Sequence, residues 1–369
     1  MKHLCNKVLF GALICIGSWS KTASAVEVVL PEPRGSFSVG TQAIEISDPQ
    51  RKMFRGNNPR RWMIQAFFPI EKTRSQNFHY MPGTLENGGV LGSTVFAHAN
   101  TDARISMSGP FPVILFLHGL GNVRQSYTIL CEEIASHGYV VLSFDEPYVA
   151  SFVRFPDNSK VTVTFHDAWY LPRDRDFRYQ YYDEAMKTAI QDFGFVVDHL
   201  SELNHQYFSG MLNPSLIVAA GHSFGGNVAH TFGFQDRRVS AVLDIDSKIT
   251  DRKINGILGV PPNPEKKPVL FIRGTRQYQE AVGDSLQKVQ NSEVKNFNVE
   301  HSAFHDNAFL TRKIPGMERE TAFTMLWTWL FKTGPHFDPV DTDLGGQDVA
   351  EWFQKLNEEM VTWLDRIRK

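Results

Sequence analysis

Cysteine is scarce in this sequence. Three cysteines occur in 369 residues, and two of them, Cys5 and Cys15, lie near the N-terminus. A chain that keeps only Cys131 beyond that stretch cannot form an internal disulfide there, so a packed core must hold it together. We expect Cys131 to be a small buried apolar residue. No cysteine–histidine cluster has the spacing of metal ligands, so neither a metal nor another cofactor is predicted.

An excess of charge of either sign is also lacking. The formal net charge is −2, which gives no reason to expect nucleic acid as a partner. Internal repeats and low-complexity linkers are absent as well. The hydrophobic fraction of 42% suffices for a large core, so residues 26–369 are predicted to form a single domain. None of these features indicates the oligomeric state.

The N-terminal stretch, residues 1–25, has the layout of a secretory signal peptide. Lys2 and Lys7 form a basic start, and Val8–Ile16 is an apolar run. Residues 23–25 form an Ala-x-Ala cleavage site. The apolar run is too short to span a bilayer. We therefore predict cleavage after Ala25 and a secreted or periplasmic protein.

Apolar runs alternate with segments of helical spacing through most of the chain. The predicted strands cover residues 61–68, 112–117, 139–144, 216–220, 239–243, 268–272 and 294–299, and the clearest helices cover 126–137, 174–203 and 348–368. Continuous apolar runs are typical of parallel strands that are covered on both faces. The alternation predicts an α/β fold with a mostly parallel, doubly wound sheet and helices on both faces. Residues 26–58 are expected to wrap the surface.

A Gly-x-Ser-x-Gly motif follows the predicted strand 216–220. Gly221 and Gly225 flank Ser223, and a segment with helical spacing comes next. Strand, motif and helix in this order are the context of the nucleophile elbow in the α/β-hydrolase fold. The turn is too tight for bulky neighbours, and the helix directs its positive dipole end at the reaction centre. We predict the α/β-hydrolase fold, with Ser223 as a catalytic nucleophile.

A serine nucleophile needs a histidine to take its proton and a carboxylate to orient that histidine. In α/β-hydrolases the three follow the order nucleophile, acid, histidine along the chain. Two residues qualify for each remaining role. The acid is Asp244 or Asp246, and Asp244 is preferred because it directly follows an apolar run. The base is His301 or His305, and His305 is preferred because it lies deeper in the loop after the last predicted strand.

The tetrahedral intermediate of ester hydrolysis also needs hydrogen-bond donors for its oxyanion. One predicted donor is the backbone N–H of Phe224, which follows the nucleophile at the helix start. The other is the backbone N–H of Leu120, in the sequence His118-Gly119-Leu120-Gly121 that ends the strand 112–117. The glycines of this loop let the backbone approach the reacting atoms.

Residues 146–172 interrupt the alternation and are predicted to form a lid-like insertion. They follow a strand at its carboxyl end, where open α/β sheets bind ligands. The aromatic residues in this stretch include Phe152, Phe155, Trp169 and Tyr170. These side chains either form an apolar surface that makes transient contact with lipid aggregates or pack as the core of the insertion.

Four blocks of this sequence together resemble the plasma-type platelet-activating-factor acetylhydrolases. The blocks are Phe116–Gly121, Ala135–Val141, Gly221–Gly226 and Val242–Asp244, with residues 302–307 similar to the catalytic histidine loop of that family. The resemblance covers roughly residues 60–310. It implies a calcium-independent serine esterase, with Ser223 as nucleophile, Asp244 as acid, His305 as base, and Leu120 and Phe224 as oxyanion donors. The family has a bulky aromatic residue two positions after the acid, where this chain has Asp246.

The resemblance also implies the substrate class. Members of that family remove short or oxidised acyl groups from the sn-2 position of phospholipids. We therefore expect a 1-alkyl-2-acetylglycerophosphocholine esterase-like activity. The alternative is a general carboxylesterase, a polyester hydrolase or a dienelactone-type hydrolase, since these use the same sheet and the same catalytic groups. A binding protein on a hydrolase fold is a more remote alternative, because such proteins usually lack one of the three catalytic residues.

Overall fold

The computed structural model describes residues 26–74, 76–81, 89–90, 93–162, 175–247, 263–274, 289–315, 317 and 344–369. The predicted signal peptide, residues 1–25, lies outside the described residues. So does the later part of the predicted insertion, from residue 163 onward, with Trp169 and Tyr170. Among the helices that are described, none is long and apolar enough to cross a bilayer.

The strands and helices are named here in chain order. The strands are β1 (Glu27–Val29), β2 (Ser38–Lys52), β3 (Pro59–Ile70), β4 (Phe78–His79), β5 (Gly89–Val90), β6 (Ser93–Ala97), β7 (Phe111–Leu117), β8 (Val140–Asp145), β9 (Phe152–Arg154), β10 (Lys160–Thr162), β11 (Leu212–His222), β12 (Val239–Ile245), β13 (Val269–Arg273) and β14 (Ser292–Asn296). The helices are α1 (Thr128–Ser136), α2 (Arg175–Asp198), α3 (Leu200–Tyr207), α4 (Phe224–Gln235), α5 (Asn307–Lys313) and α6 (Val349–Arg368), and His301–Phe304 is a 3₁₀ turn.

Within the described residues, the central sheet has eight strands in the order β14-β13-β12-β11-β7-β8-β3-β2. Every pair from β14 to β8 is parallel, while β3 and β2 are antiparallel additions at one edge. After β7 the chain adds β8 on one side, and it later adds β11 on the other side. The loops that follow β7 and β11 therefore diverge, which opens a crevice at the carboxyl ends of these two strands.

Apolar side chains fill both faces of this sheet, as the continuous apolar runs predict. One core contains α1, α5 and α6, and the other contains α2 and α4. Strands β7 and β8 are buried along their whole length. Cys131 lies in α1, fully buried among apolar neighbours, as expected. The mostly parallel, doubly wound architecture predicted from the sequence is thus confirmed.

The edge of the sheet departs from the prediction. Residues 38–52 form β2, the longest strand, rather than a surface wrap. The predicted end of the strand 61–68 is also wrong, because β3 continues to Ile70 and Pro69 pairs with Val39 of β2. An antiparallel neighbour at a sheet edge tolerates a proline whose missing N–H is not needed by the ladder.

The described part of the insertion forms a short hairpin. Strands β9 and β10 pair in antiparallel fashion, and Val153 between the aromatic residues is fully buried. Phe155 is 2% exposed and lies 3.8 Å beneath the Arg61 guanidinium, while Phe152 is half-buried against the core. Phe155 is therefore a packing residue and not part of an exposed apolar surface.

Candidate active site

Ser223 occupies the sharp turn between β11 and α4. Its φ and ψ angles are 53° and −113°, a conformation that a residue with a side chain rarely adopts. Such backbone strain costs on the order of 1–3 kcal/mol and persists only where the surroundings enforce it. On the side of β12, this backbone conformation is held by the hydrogen bond that the Ser223 N–H donates to the Ile245 carbonyl, at 2.8 Å.

The two flanking glycines are required by close backbone approach. A Cβ atom on Gly225 would lie 1.9 Å from the Leu117 carbonyl oxygen, and one on Gly221 would lie 2.3 Å from the Gly225 carbonyl carbon. The elbow is therefore packed directly against the end of β7. This contact places the first turn of α4 beside the loop that follows β7.

That loop holds one of its peptide groups in a fixed orientation. The Gly119 carbonyl accepts hydrogen bonds from His118 Nδ1, at 2.7 Å, and from the Asn122 N–H, at 3.1 Å. In a trans peptide the next N–H points to the opposite side from this carbonyl. The Leu120 N–H therefore points away from the two hydrogen bonds that the Gly119 carbonyl accepts. At the elbow, the Phe224 N–H is the first of α4 and has no partner within its helix.

A carboxylate and a histidine meet next to the elbow. Asp246 Oδ2 lies 2.6 Å from His301 Nδ1, and Asp246 Oδ1 accepts the Gly274 N–H at 2.9 Å. Asp246 is fully buried, whereas the His301 side chain is 34% exposed. Because an ionised carboxylate only accepts, Nδ1 carries the proton and Nε2 is the basic nitrogen of His301. This is the arrangement that prepares a histidine to act as a general base.

Three contacts bring this pair to the nucleophile. The Ser223 N–H bonds to Ile245, the residue directly before Asp246. The ring of His222, directly before Ser223, lies 4.5 Å from the His301 ring between centroids, and His222 Nε2 lies 3.1 Å from the His301 carbonyl oxygen. Nucleophile, histidine and carboxylate are therefore held together by neighbouring residues of the chain.

The preferred acid of the sequence analysis, Asp244, has other partners. Strand β12 runs two residues further than predicted, to Ile245, so Asp244 lies inside the strand and Asp246 follows its end. The Asp244 carboxylate bonds to His230 Nδ1 at 2.9 Å, to Arg273 Nη1 at 3.1 Å and to the Ser247 hydroxyl. Burial would raise the pKa of Asp244, but these partners outweigh it, Arg273 most strongly, and lower the pKa to about 2.

Asp244 therefore anchors the turn that presents Asp246. It also accepts the Ser247 N–H at 3.2 Å, and Arg273 donates to the Ser247 carbonyl at 3.0 Å. Asp246 sits between these anchored neighbours with a φ of +49°. The preference for Asp244 over Asp246 as the orienting acid is not supported by this geometry.

The preferred base, His305, lies nearby, with its ring centroid 6.3 Å from that of His222. Its side chain is buried, and within the described part of the chain its Nδ1 has no hydrogen-bond partner. Burial, with His301 nearby, lowers the pKa of His305 to about 3. Among the described residues no carboxylate bonds to this ring, and the neighbouring Asp306 accepts the Thr128 and Ile129 N–H groups at the start of α1. The structure brings His301, and not His305, to the carboxylate.

Nitrogen and oxygen atoms of His222, Asp246 and His301 lie close enough together to suggest a metal site. The donor set does not fit one. Both ring nitrogens of His222 are engaged, Nδ1 with the Tyr127 hydroxyl at 2.7 Å and Nε2 with the His301 carbonyl. The His301 Nδ1 and Asp246 Oδ2 atoms bind each other. The three residues are better described as a hydrogen-bonded base and its neighbours.

Two residues near the elbow carried no recognisable sequence signal. Tyr182 of α2 packs edge-on against Phe224, with ring centroids 5.2 Å apart, and its hydroxyl accepts from Asn227 Nδ2 at 2.8 Å. Tyr127, just before α1, bonds to both the β7 loop and His222. Neither tyrosine belongs to a short motif, so only the fold reveals their positions.

Comparisons with known proteins agree with the resemblance that the motifs carry. The family described as platelet-activating factor acetylhydrolase, isoform II, matches residues 22–153. The chain is 26% identical over 285 residues to the "Probable 1-alkyl-2-acetylglycerophosphocholine esterase" of Arthroderma benhamiae, covering 69% of this chain and 68% of the relative. It is 24% identical over 252 residues to the platelet-activating factor acetylhydrolase of Cavia porcellus, covering 59% of this chain and 55% of the relative.

Among solved structures, a ferulic acid esterase from Streptomyces cinnamoneus superposes with a TM-score of 0.69. The match covers 92% of both chains at 21% sequence identity, which is evidence for a shared fold. The predicted α/β-hydrolase fold is confirmed, and so is the resemblance in sequence to the platelet-activating factor acetylhydrolases.

Proposed function

We propose that this chain is a serine carboxylic-ester hydrolase in which Ser223 is the nucleophile, His301 the general base and Asp246 its orienting carboxylate. The observation that carries the proposal is the 2.6 Å contact between Asp246 and His301 beside a serine in a strained elbow. The order along the chain, nucleophile, acid and histidine, is the one that α/β-hydrolases use.

In the first half of the reaction, His301 Nε2 takes the proton of the Ser223 hydroxyl while the Ser223 oxygen attacks the ester carbonyl carbon. The carbonyl oxygen becomes an oxyanion, which the N–H groups of Leu120 and Phe224 stabilise. The tetrahedral intermediate then collapses, and the bond to the leaving alcohol breaks. His301 gives its proton to that alkoxide, so an alcohol leaves and an acyl-serine remains.

In the second half, water replaces the alcohol. His301 removes a proton from the water, whose oxygen attacks the acyl carbon, and the same two N–H groups stabilise the second oxyanion. Collapse of this intermediate returns the proton from His301 to Ser223 and releases the carboxylic acid. Asp246 remains ionised throughout, because its task is to stabilise the positive charge that His301 carries in each transition state.

The substrate class that we propose is phospholipid with a short or oxidised sn-2 acyl group. Support comes from the similarity to proteins named platelet-activating factor acetylhydrolase and 1-alkyl-2-acetylglycerophosphocholine esterase. The match of residues 22–153 to the corresponding family points the same way. These residues include the β7 loop, which supplies one oxyanion donor in the mechanism above.

Hydrolysis by purified protein and by a Ser223→Ala variant tests this proposal. The matched control is Ser240→Ala, since Ser240 lies on β12 with its hydroxyl toward the Ser215 carbonyl. We expect wild type and Ser240→Ala to release acetate from 1-alkyl-2-acetylglycerophosphocholine, and Ser223→Ala to lose at least about 10³-fold in kcat. Undiminished turnover by Ser223→Ala would reject the mechanism.

A substrate panel separates the phospholipid proposal from a general esterase. Phospholipids whose sn-2 chain grows from acetyl to long unoxidised acyl groups are compared with simple aryl esters. We expect kcat/KM to fall as the sn-2 chain lengthens. Ser223-dependent hydrolysis of aryl esters together with no hydrolysis of any phospholipid would favour a carboxylesterase, polyester hydrolase or dienelactone-type hydrolase instead.

Export is also part of the proposal, supported by the basic start, the apolar run and the Ala-x-Ala site in residues 1–25. Protein recovered from a secreting bacterial host is expected to begin at Val26. An intact mass that retains residues 1–25 would contradict the predicted cleavage.

A further inference from the structure

Two buried side chains, those of Tyr127 and His222, contact all three loops of the proposed site, and the mechanism above uses neither. Tyr127 precedes α1 and is 1% exposed, and His222 ends β11 and is 2% exposed. The Tyr127 hydroxyl lies 2.7 Å from His222 Nδ1. A buried pair of polar side chains at such a junction costs desolvation unless its hydrogen bonds are complete.

The protons of this pair can be assigned from its partners. His222 Nε2 faces the His301 carbonyl oxygen at 3.1 Å, and a carbonyl only accepts, so Nε2 carries a hydrogen. Burial, together with the neighbouring His301 and His305, holds the pKa of His222 well below its usual range. The ring is therefore neutral, and its Nδ1 accepts the hydrogen of the Tyr127 hydroxyl.

The oxygen of Tyr127 accepts in turn from the loop after β7. The Gly119 N–H donates to it at 3.1 Å, and Asn122 Nδ2 donates at 3.3 Å. A phenol oxygen that donates its hydrogen and accepts twice has no further capacity. A Cβ atom on Gly119 would lie 2.9 Å from His222 Nδ1, so the loop, the tyrosine and the histidine are in direct contact.

These bonds form one directed chain from the Gly119 N–H through Tyr127 and His222 to the His301 carbonyl. At the Gly119 end, this chain of hydrogen bonds fixes the His118–Gly119 peptide. The next peptide carries the Leu120 N–H. The other end of the chain of hydrogen bonds fixes the backbone of the histidine that we propose as the base. In between, it passes through the residue covalently attached to Ser223.

We propose that Tyr127 and His222 are positioning residues that hold the oxyanion loop, the nucleophile and the base in fixed positions relative to one another. This inference rests on the proposed function. His222 must stay neutral for the task, because a second positive charge 4.5 Å from the His301 ring would oppose the charge that His301 acquires in the transition state. Neither side chain touches the reacting atoms, so neither is a catalytic residue.

The test is the variant Tyr127→Phe, which removes one oxygen and keeps the ring that packs edge-on against Phe116. The matched control is Tyr139→Phe, since Tyr139 is also buried but its hydroxyl bonds to Asp365 of α6. We expect Tyr127→Phe to lower kcat by about 10- to 100-fold with KM within about threefold, because transition-state contacts are lost and ground-state binding is not. Tyr139→Phe is expected to keep the wild-type kcat.

A purely structural role predicts a different result. Tyr127→Phe would then unfold at a lower temperature, as Tyr139→Phe would, while kcat per folded molecule stayed within about twofold of wild type. That result would overturn the inference. It would leave the proposed function intact, because ester hydrolysis by the wild type and its loss in Ser223→Ala are separate measurements.

A second measurement covers the case in which Tyr127→Phe does not fold. Nitrogen-15 NMR of wild-type protein labelled at histidine reports the tautomer of each ring, with His222→Asn for assignment. We expect His222 to carry its proton on Nε2 alone across about pH 5 to 9, to either side of the ordinary histidine pKa of about 6.5. A proton on Nδ1 at any pH in that range would contradict the directed chain.

Discussion

Two aspartates two residues apart have different partners because of where β12 ends. Asp244 lies within the strand and meets Arg273 and His230, whereas Asp246 follows the strand and meets His301. We predict that Asp246→Asn lowers kcat by about 10³- to 10⁴-fold with little loss of stability, since the amide favours the wrong His301 tautomer. Steady-state ester hydrolysis measures this.

Asp244→Asn is the matched comparison. It leaves Arg273, which is 1% exposed, without its buried counter-charge, so we expect a loss of about 3–5 kcal/mol in the free energy of unfolding. Its kcat per folded molecule should exceed that of Asp246→Asn by at least about tenfold. The opposite ranking of the two variants in kcat would restore Asp244 as the orienting acid.

The two histidines of the last loop give the second prediction. His301→Ala removes the proposed base and should lower kcat by about 10³-fold or more. His305→Ala removes a buried ring whose pKa of about 3 leaves it neutral near pH 7, so its effect on kcat should stay below about tenfold. Parallel kinetics of both variants, corrected for folded fraction, decide between them. Equal losses would contradict the assignment to His301.

At the scale of elements, the elbow depends on contact between α4 and the end of β7. Gly225→Ala would place its Cβ 1.9 Å from the Leu117 oxygen, so α4 must move away from the loop that carries Leu120. We predict lower stability and a loss of kcat of at least about 10²-fold, because one oxyanion donor moves with the helix. Thermal unfolding and turnover measure the two effects.

Gly194→Ala in α2 is the control for that substitution. Outside its own helix, the one described atom within 4 Å of its Cβ would be Phe232 Cε2, at an ordinary 3.8 Å. Alanine is a better helix former than glycine by about 1 kcal/mol, so this variant should be as stable as wild type or more so. If Gly225→Ala proved as stable and active as Gly194→Ala, the close contact between Gly225 and Leu117 would be contradicted.

Element types were more predictable from the sequence than element ends. The apolar runs located β7, β8, β11, β12 and β13, because a strand buried on both faces contains few polar residues. Asp244 is a charged residue inside a buried strand. Its partners, His230 of α4 and Arg273 of β13, are not adjacent to it in the sequence. The end of β12 was therefore placed two residues early, and the preference for Asp244 as the acid rested on that placement.

Strand β2 was missed for a different reason. Ile44 and Ile46 are buried, while Glu45 between them is half-buried, so a strand-like alternation was present in the sequence. The surrounding proline, glycine and charged residues concealed it. A strand at the edge of a sheet needs less apolar surface than a central one, which makes its signal weaker.

At the scale of the whole molecule, two buried acids near α1 predict how stability depends on pH. Burial raises the pKa of Glu132 to about 8 and that of Asp306 to about 7, against their hydrogen bonds from backbone N–H groups. Glu132 accepts from His98 and Ala99, and thereby ties the segment after β6 to α1.

The sign of the effect follows from the direction of these shifts. Unfolded Asp and Glu titrate near about 4, so between about pH 4 and 8 the folded state binds more protons than the unfolded state. Their contribution to stability is complete below about pH 4 and is lost as pH rises through 7 and 8. Each group contributes a slope of at most about 1.4 kcal/mol per pH unit.

We therefore predict that Glu132→Gln flattens the fall in the free energy of unfolding between about pH 5 and 8. Glu202→Gln, at an exposed position of α3, should leave the wild-type slope unchanged. Urea titrations at a series of pH values give the slopes. Identical slopes for wild type and Glu132→Gln would show that the buried carboxyl does not titrate in this range.

The most direct test of the account is the site at which a fluorophosphonate probe binds covalently. Such a probe phosphonylates a serine hydroxyl quickly when a neighbouring base activates it. Peptide mass spectrometry of the labelled wild-type protein should find the modification on Ser223, at a rate that falls steeply in His301→Ala and little in His305→Ala. A label on another residue, no label, or a rate unchanged in His301→Ala would contradict the proposed Ser223–His301–Asp246 site.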